Sequence, residues 1–135
     1  MSREIKFRAW DKTLKEIIPV RNINFESKMI NINGAWRLFK EIELMQFTGK
    51  RDSKQTDEFP KGKEVFESDI IECEYYNGEV WRGVVVWGFG EPSFFVIRDN
   101  DNSKCYSVNF GGSAVKRWEV IGNIHQNHEL LEVKL

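Results

Sequence analysis

Apolar and polar positions alternate with a period of two along most of the chain, and no apolar stripe of helix length stands out. Ile5, Phe7 and Ala9 alternate with Lys6 and Arg8, predicting a half-buried strand that ends at Trp10 and turns at Asp11-Lys12. Short strands are expected over residues 16–20, 22–25 and 29–32, the last closed by Asn33-Gly34. Pro19 has no amide hydrogen for a ladder, so its strand is expected at an edge or to be very short. Residues 35–39 and 42–47 complete this first part, although Ile42, Leu44, Met45 and Phe47 also suit one or two helical turns.

Residues 49–63 break the pattern, placing one large apolar side chain, Phe59, among charges and turn formers. Long structureless loops are uncommon inside a domain, so this is a mobile connection or a surface that meets something. Residues 65–69 read as a helical turn or a tight corner. Ile71, Cys73 and Tyr75 then alternate with Glu72 and Glu74, and Asn77-Gly78 predicts a hairpin with a type I′ turn. Residues 80–87 contain Gly83, which predicts a bulge or a barrel-closing bend. Further strands are expected over 93–98, 104–108 and 118–121, with a break at Gly111-Gly112.

The pattern therefore predicts an all-β chain of short antiparallel strands, with residues 64–124 forming a bent sheet or SH3-like barrel. Asn127 is a good cap for a short C-terminal helix over 127–132, with Leu130 and Leu131 pressed onto the sheet. Residues 1–135 read as a single domain: an N-terminal β part to residue 48, the charged loop 49–63, the barrel-like part and the helix.

Composition adds limits. A chain of 135 residues can bury a core without disulfides or a structural metal, and its 5 Trp and 10 Phe supply the volume. The net charge of -1 lacks the basic excess that nucleic-acid binding usually shows. The charge split is mild: residues 1–60 carry 12 basic against 9 acidic side chains, residues 61–135 carry 8 against 12. A charged start without an apolar signal region, and no run near the ~20 residues of a membrane span, predict a cytoplasmic protein with no membrane partner. In that setting Cys73 and Cys105 are expected as free thiols.

Candidate chemistry is sparse. His125, His128 and Glu129 lack a metal-binding signature and read as a solvent-exposed turn. Cys73 and Cys105 alternate with apolar neighbours and read as packing. Glu67, Asp69, Glu72 and Glu74 form an acidic run in which Glu72 and Glu74 share one solvated strand face. Asp69 stands apart, because a carboxylate at a turn accepts backbone amide hydrogens. Thr48-Gly49-Lys50 lacks the rest of a phosphate loop. Tyr75, Tyr76, Trp81, Trp87, Phe94 and Phe95 gather near Arg82 and Arg98, as in barrels that stack bases. Alternation directs about half of them inward, however. No catalytic residue, cofactor or metal site is expected.

Three ordered segments resemble the YopX-like proteins of phages and prophages of Gram-positive bacteria. They are Ile5-Lys6-Phe7-Arg8-Ala9-Trp10-Asp11; Leu44-Met45-Gln46-Phe47-Thr48-Gly49 with Asp52 and Glu67-Ser68-Asp69-Ile70-Ile71; and Glu119-Val120-Ile121-Gly122-Asn123-Ile124 ahead of Glu129-Leu130-Leu131. The resemblance covers nearly the whole chain and implies an all-β fold with a barrel-like part and a phage or prophage origin. It implies no activity. Two positions depart from it: Ser68 stands where such proteins commonly have Gly, which implies strain if that turn needs a positive φ, and His128 stands where a Pro often opens the last helix.

These readings lead to a non-enzymatic accessory protein that works through protein contacts, as a homo-oligomer or with a host or phage protein. Phe59, Tyr76, Arg82 and Arg98 are its candidate contact residues. The alternative is a nucleic-acid-binding module using the surface aromatics with Arg82 and Arg98, and a less favoured rival is an enzyme whose site is assembled from distant residues.

Overall fold

The period of two produces eleven strands among the described residues of a computed structural model, which describes residues 4–32, 34–88, 90, 92–99, 101, 103–107 and 114–131. The chain divides into two compact units, residues 1–47 and 48–135.

In the first unit β1 (Phe7–Asp11), β2 (Glu16–Asn24), β3 (Met29–Ile32), β4 (Ala35–Leu38) and β5 (Ile42–Arg51) lie in the order β4-β3-β2-β1-β5, each pair antiparallel. Residues 42–47 are therefore strand rather than helical turns. Ala9, Ile30, Ile32 and Ile42 are buried, with Ile18, Val20, Ile23, Phe39 and Leu44 packed against them. The two short strands expected over 16–20 and 22–25 are one strand with a register shift between Val20 and Asn22. Pro19 is not on an edge strand, because β2 has β1 on one side and β3 on the other. It stands opposite Arg8 of β1, and pairing with β3 begins only at Val20, so Pro19 has a ladder neighbour on one side alone.

Asp11 is fully buried at the end of β1. Its Oδ1 accepts the amides of Thr13 and Leu14 at 2.9 and 3.0 Å, and Arg37 Nε donates to Oδ2 at 3.0 Å. The Leu14 amide does most to hold this carboxyl below its ordinary pKa; Arg37 and Thr13 reinforce it against the upward push of burial.

β5 runs through the division, and its last residues in the second unit lie beside β6 (Glu64–Phe66). β7 (Asp69–Tyr75), β8 (Val80–Trp87), β9 (Phe94–Arg98), β10 (Cys105–Ser107) and β11 (Val115–Asn123) form a five-stranded antiparallel sheet in the order β10-β9-β8-β7-β11. Its core face buries Ile71, Cys73, Trp81, Val85, Phe94 and Val96 together with Val65 of β6.

The sheet is open, which corrects the SH3-like barrel. Closure would require β10 to pair with β11, and instead both are edges. Gly83 makes no bulge either: β8 keeps an unbroken register with β7 and β9. It serves close packing, since a Cβ there would lie 2.6 Å from the Ile97 carbonyl oxygen. The register shifts fall in edge strand β11, at Val115/Arg117 and Val120/Gly122.

Asn77-Gly78 does close the β7–β8 hairpin, but with a longer turn than type I′. Only Gly78 has a positive φ, +92°, the Tyr75 amide bonds the Glu79 carbonyl at 2.9 Å, and Asn77 Oδ1 accepts the Glu79 amide at 2.8 Å. Residues 67–68 make the tight corner between β6 and β7. Ser68 has φ +72°, its amide bonds the Val85 carbonyl at 2.8 Å, and its carbonyl accepts the Ile124 amide at 3.0 Å. Buried Asp69 completes the corner by accepting the Phe66 amide at 2.8 Å.

The C-terminal helix is one 3-10 turn, His128–Leu131. Asn127 does not cap it with its side chain, which instead accepts the Asn123 amide at 3.2 Å. Leu131 lines a hollow with Val84, Val86 and Ile97 of the sheet, as the apolar pair predicted. Among the described residues no helix is long and apolar enough to cross a membrane.

Candidate interaction surface

Alternation along β8 and β9 decides where the two candidate arginines go. Arg98 pairs in register with Gly83, so it shares the core face, whereas Arg82 points to the other face. The two do not form one basic patch. Arg82 Nε donates to Glu72 Oε2 at 3.0 Å and its Nη1 to the Leu130 carbonyl at 3.1 Å, fixing the C-terminal turn to the sheet. Arg98 is paired with Glu79 and, at 3.1 Å, with Asp99, and its guanidinium lies 5.3 Å from the Trp81 ring centroid. Burial works against its charge, but the bonds to Glu79, Asp99 and Tyr106 outweigh that and push its pKa up.

The face that carries Arg82 also carries two members of the acidic run, Glu72 and Glu74. Glu72 and Glu74 of β7 stand opposite Glu119 and Arg117 of β11. Arg117 reaches all three carboxylates: Nε to Glu74 at 2.7 Å, Nη2 to Glu72 at 2.9 Å and Nη1 to Glu119 at 3.0 Å. Burial raises the pKa of Glu72, yet the bonds from Arg117 and Arg82 leave it lowered overall. The face is thus a braced ion-pair ladder, with Lys54 and Lys116 at its margins. Sequence reasoning found the glutamates but missed Arg117, whose cross-strand partners depend on a register that the bulges in β11 set.

Alternation does not split the strand aromatics evenly: Trp81, Trp87 and Phe94 share the core face and Phe95 takes the other. Trp81 and Phe94 are buried, while Tyr76 is 70% exposed at the hairpin end, close in sequence to Val80 at 48%. Tyr76, Tyr75, Asn77, Glu79 and Ala114 line a hollow there. Trp87 and Tyr106 are also exposed, but each leans on a buried ring: Trp87 lies 4.8 Å from Phe94 and Tyr106 5.5 Å from Trp81, between centroids. Phe59 is half-buried, with Lys63 Nζ 5.8 Å from its ring centroid and Thr56 bonded to it through backbone and hydroxyl.

Cys73 is buried, Cys105 is half-buried, and both are free, with burial pushing each thiol's pKa up. His125 and His128 lie in the turns after β11. Among the described residues no group of three or more His, Cys, Asp or Glu is placed to hold a metal ion.

Asp52 follows β5, only 4% exposed. Its Oδ1 accepts the Lys63 amide at 2.9 Å and the Lys54 amide at 3.3 Å, and its Oδ2 accepts the Val120 amide at 2.8 Å. The buried carboxylate joins both ends of the 52–63 loop to β11. Two of the three segments that carry the family resemblance meet in this arrangement: Asp52 and the Ser68 corner from the second, and Val120 with Ile124 from the third. The YopX protein family matches residues 6–132. The chain belongs to the YopX family. The YopX fold seen here is also similar to the crystal structure of protein EF1440 from Enterococcus faecalis, with a TM-score of 0.60 and 26% identity over 97% of this chain and 100% of that one. No curated protein matches the sequence. Within this YopX chain Asp52, Ser68 and Asp69 each bond main-chain groups of the same unit and so shape its backbone.

Proposed function

We propose that this protein is a phage or prophage accessory protein that acts in the cytoplasm of its bacterial host as a non-enzymatic protein-interaction module. The hairpin end of the five-stranded sheet carries this reading: Tyr76 and Val80 are held out to solvent beside a hollow walled by Tyr75 and Glu79. An exposed aromatic on a well-ordered hairpin offers large contact area while losing little side-chain freedom on binding. The charged groups nearby already pair with one another, so a partner gains by covering apolar surface rather than by neutralising charge. The bacterial source of the similar crystal structure agrees with a bacterial host. The simplest partner is a second copy meeting the same patch across a two-fold axis. The nucleic-acid reading has less support, because Arg82 and Arg98 lie on opposite faces and each holds carboxylates.

Light scattering at micromolar concentration tests the proposal on the wild type and on Tyr76→Ala with Val80→Ser. The expected wild-type mass is a multiple of 15.9 kDa that falls in the variant. A wild-type mass of 15.9 kDa removes the homo-oligomer. If cross-linking to host-cell proteins then fails to distinguish wild type from variant, the module reading falls too. Binding of single- or double-stranded probes that weakens steeply with salt would establish the nucleic-acid alternative instead.

A further inference from the structure

The outward side of β11 is covered by something that is not a strand. β11 is nine residues long and forms one edge of its sheet, so its outward N–H and C=O groups are a template for another chain. At Trp118 and Val120 those groups are already bonded to the start and end of the 52–63 loop. Ser53 Oγ accepts the Trp118 amide at 2.9 Å and donates to the Trp118 carbonyl at 2.8 Å, and the Ser53 amide reaches the same carbonyl at 3.0 Å. One residue earlier, Asp52 Oδ2 accepts the Val120 amide at 2.8 Å; Lys63 Nζ donates to the Val120 carbonyl at 3.4 Å. A hydroxyl, a carboxylate and an ammonium, together with the Ser53 amide, thus do what the backbone of a sixth strand would do.

The loop is closed tightly at its base and is open elsewhere. The Asp52 amide bonds the Lys63 carbonyl at 2.9 Å. Gly62, at φ +89°, sits so close that a Cβ there would lie 2.0 Å from the Asp52 carbonyl oxygen. Residues 53–58, by contrast, are all exposed.

We propose that the 52–63 loop is a strand mimic that keeps β11 from pairing, and that the occupant it holds off is β11 of a second copy, added antiparallel across a two-fold axis. A second β11 fits the edge because it offers the same alternating donors and acceptors with its own outward Trp118 and Val120 groups. The loop is therefore a device that sets the assembly state: closed, it leaves the sheet at five strands; released, it lets two sheets join into one of ten. This surface is separate from the Tyr76 hairpin end and does not depend on the role proposed there.

The test releases the loop in two ways, in a Tyr76→Ala background so that assembly through the hairpin end does not confuse the result. Asp52→Ala with Ser53→Ala removes the mimicking acceptors, and Gly62→Ala forces the loop base apart while keeping them. Ser53→Ala alone is the milder variant should the double substitution fail to fold. Amide hydrogen exchange and light scattering are read together. The expected result is faster exchange at Trp118 and Val120 at low concentration, with mass doubling from 15.9 kDa and protection returning as concentration rises. Faster exchange without any gain in mass overturns the pairing claim. Unchanged exchange overturns the claim that the loop caps the edge.

Discussion

Replacing Ser68 by Gly is expected to make this protein more stable. Ser68 has φ +72°, and two backbone bonds hold it there, from its amide to Val85 and from Ile124 to its carbonyl. An L-residue in the left-handed region costs roughly 1–2 kcal/mol, because its Cβ crowds the following carbonyl. Glycine removes that crowding but loses more freedom on folding, which takes back roughly 0.5–1 kcal/mol. The net gain is about 0.5–1 kcal/mol. That corresponds to roughly 2–4 °C in Tm for a chain of this size and to about 0.3–0.5 M in the urea midpoint. The measurement is urea unfolding of wild type, Ser68→Gly and Ser68→Ala. The alanine variant loses the hydroxyl but keeps the Cβ, so it should show no gain. If glycine stabilises no more than alanine does, the corner is not strained by its φ and the reasoning is wrong.

Three more outcomes are expected. Asp11 has a folded pKa below its ordinary 3.8, so its contribution is complete above that value and is lost as pH falls through the lowered one. The stability gap between wild type and Asp11→Asn, about 1–3 kcal/mol at pH 7, should therefore close below pH 3.8, and a gap that persists in acid would refute this. Arg117→Gln should cost about 1–2 kcal/mol, less at high salt, and NMR titration should show the Glu72 carboxyl moving up; an unmoved Glu72 would mean that Arg117 does not hold it. Thiol titration should count two thiols in denaturant, with Cys105 reacting before buried Cys73 in the native protein; equal native reactivity would contradict the burial of Cys73.

Strand existence was legible because alternation is a local signal. Ile71, Cys73 and Tyr75 against Glu72 and Glu74 fix one strand and its buried face without reference to any neighbour. The choice between the two expected forms, a bent sheet and a closed barrel, was not legible. Gly83 carries the same letter whether it bends a strand or lets β9 pack closely, and only the neighbouring Val96 and Ile97 decide which. Asn77-Gly78 correctly marked a hairpin, but turn length depends on which residues pair, and the Tyr75–Glu79 bond makes it longer than the two-residue form. Pro19 misled for a related reason: the sequence does not show that it has a ladder neighbour on one side only, Arg8 of β1, with pairing to β3 starting one residue later at Val20.

The candidate site shows the same divide between composition and register. Arg82 and Arg98 are both near aromatics in sequence, which suggested one surface, yet a spacing of sixteen residues across a hairpin leaves their faces undetermined. Register puts Arg98 opposite Gly83 and thereby separates the two. Asp52 illustrates the reverse case. In sequence it is one charge in a loop of charges, and its side chain nonetheless joins Lys54, Lys63 and Val120. A solvated carboxylate in that loop would have no reason to be 4% exposed. A buried charge is tolerated only when its hydrogen bonds replace those of water, and here three backbone amides do so. The charged loop is therefore organised from its base, by a residue whose importance lies in the amides it reaches rather than in its own position along the chain.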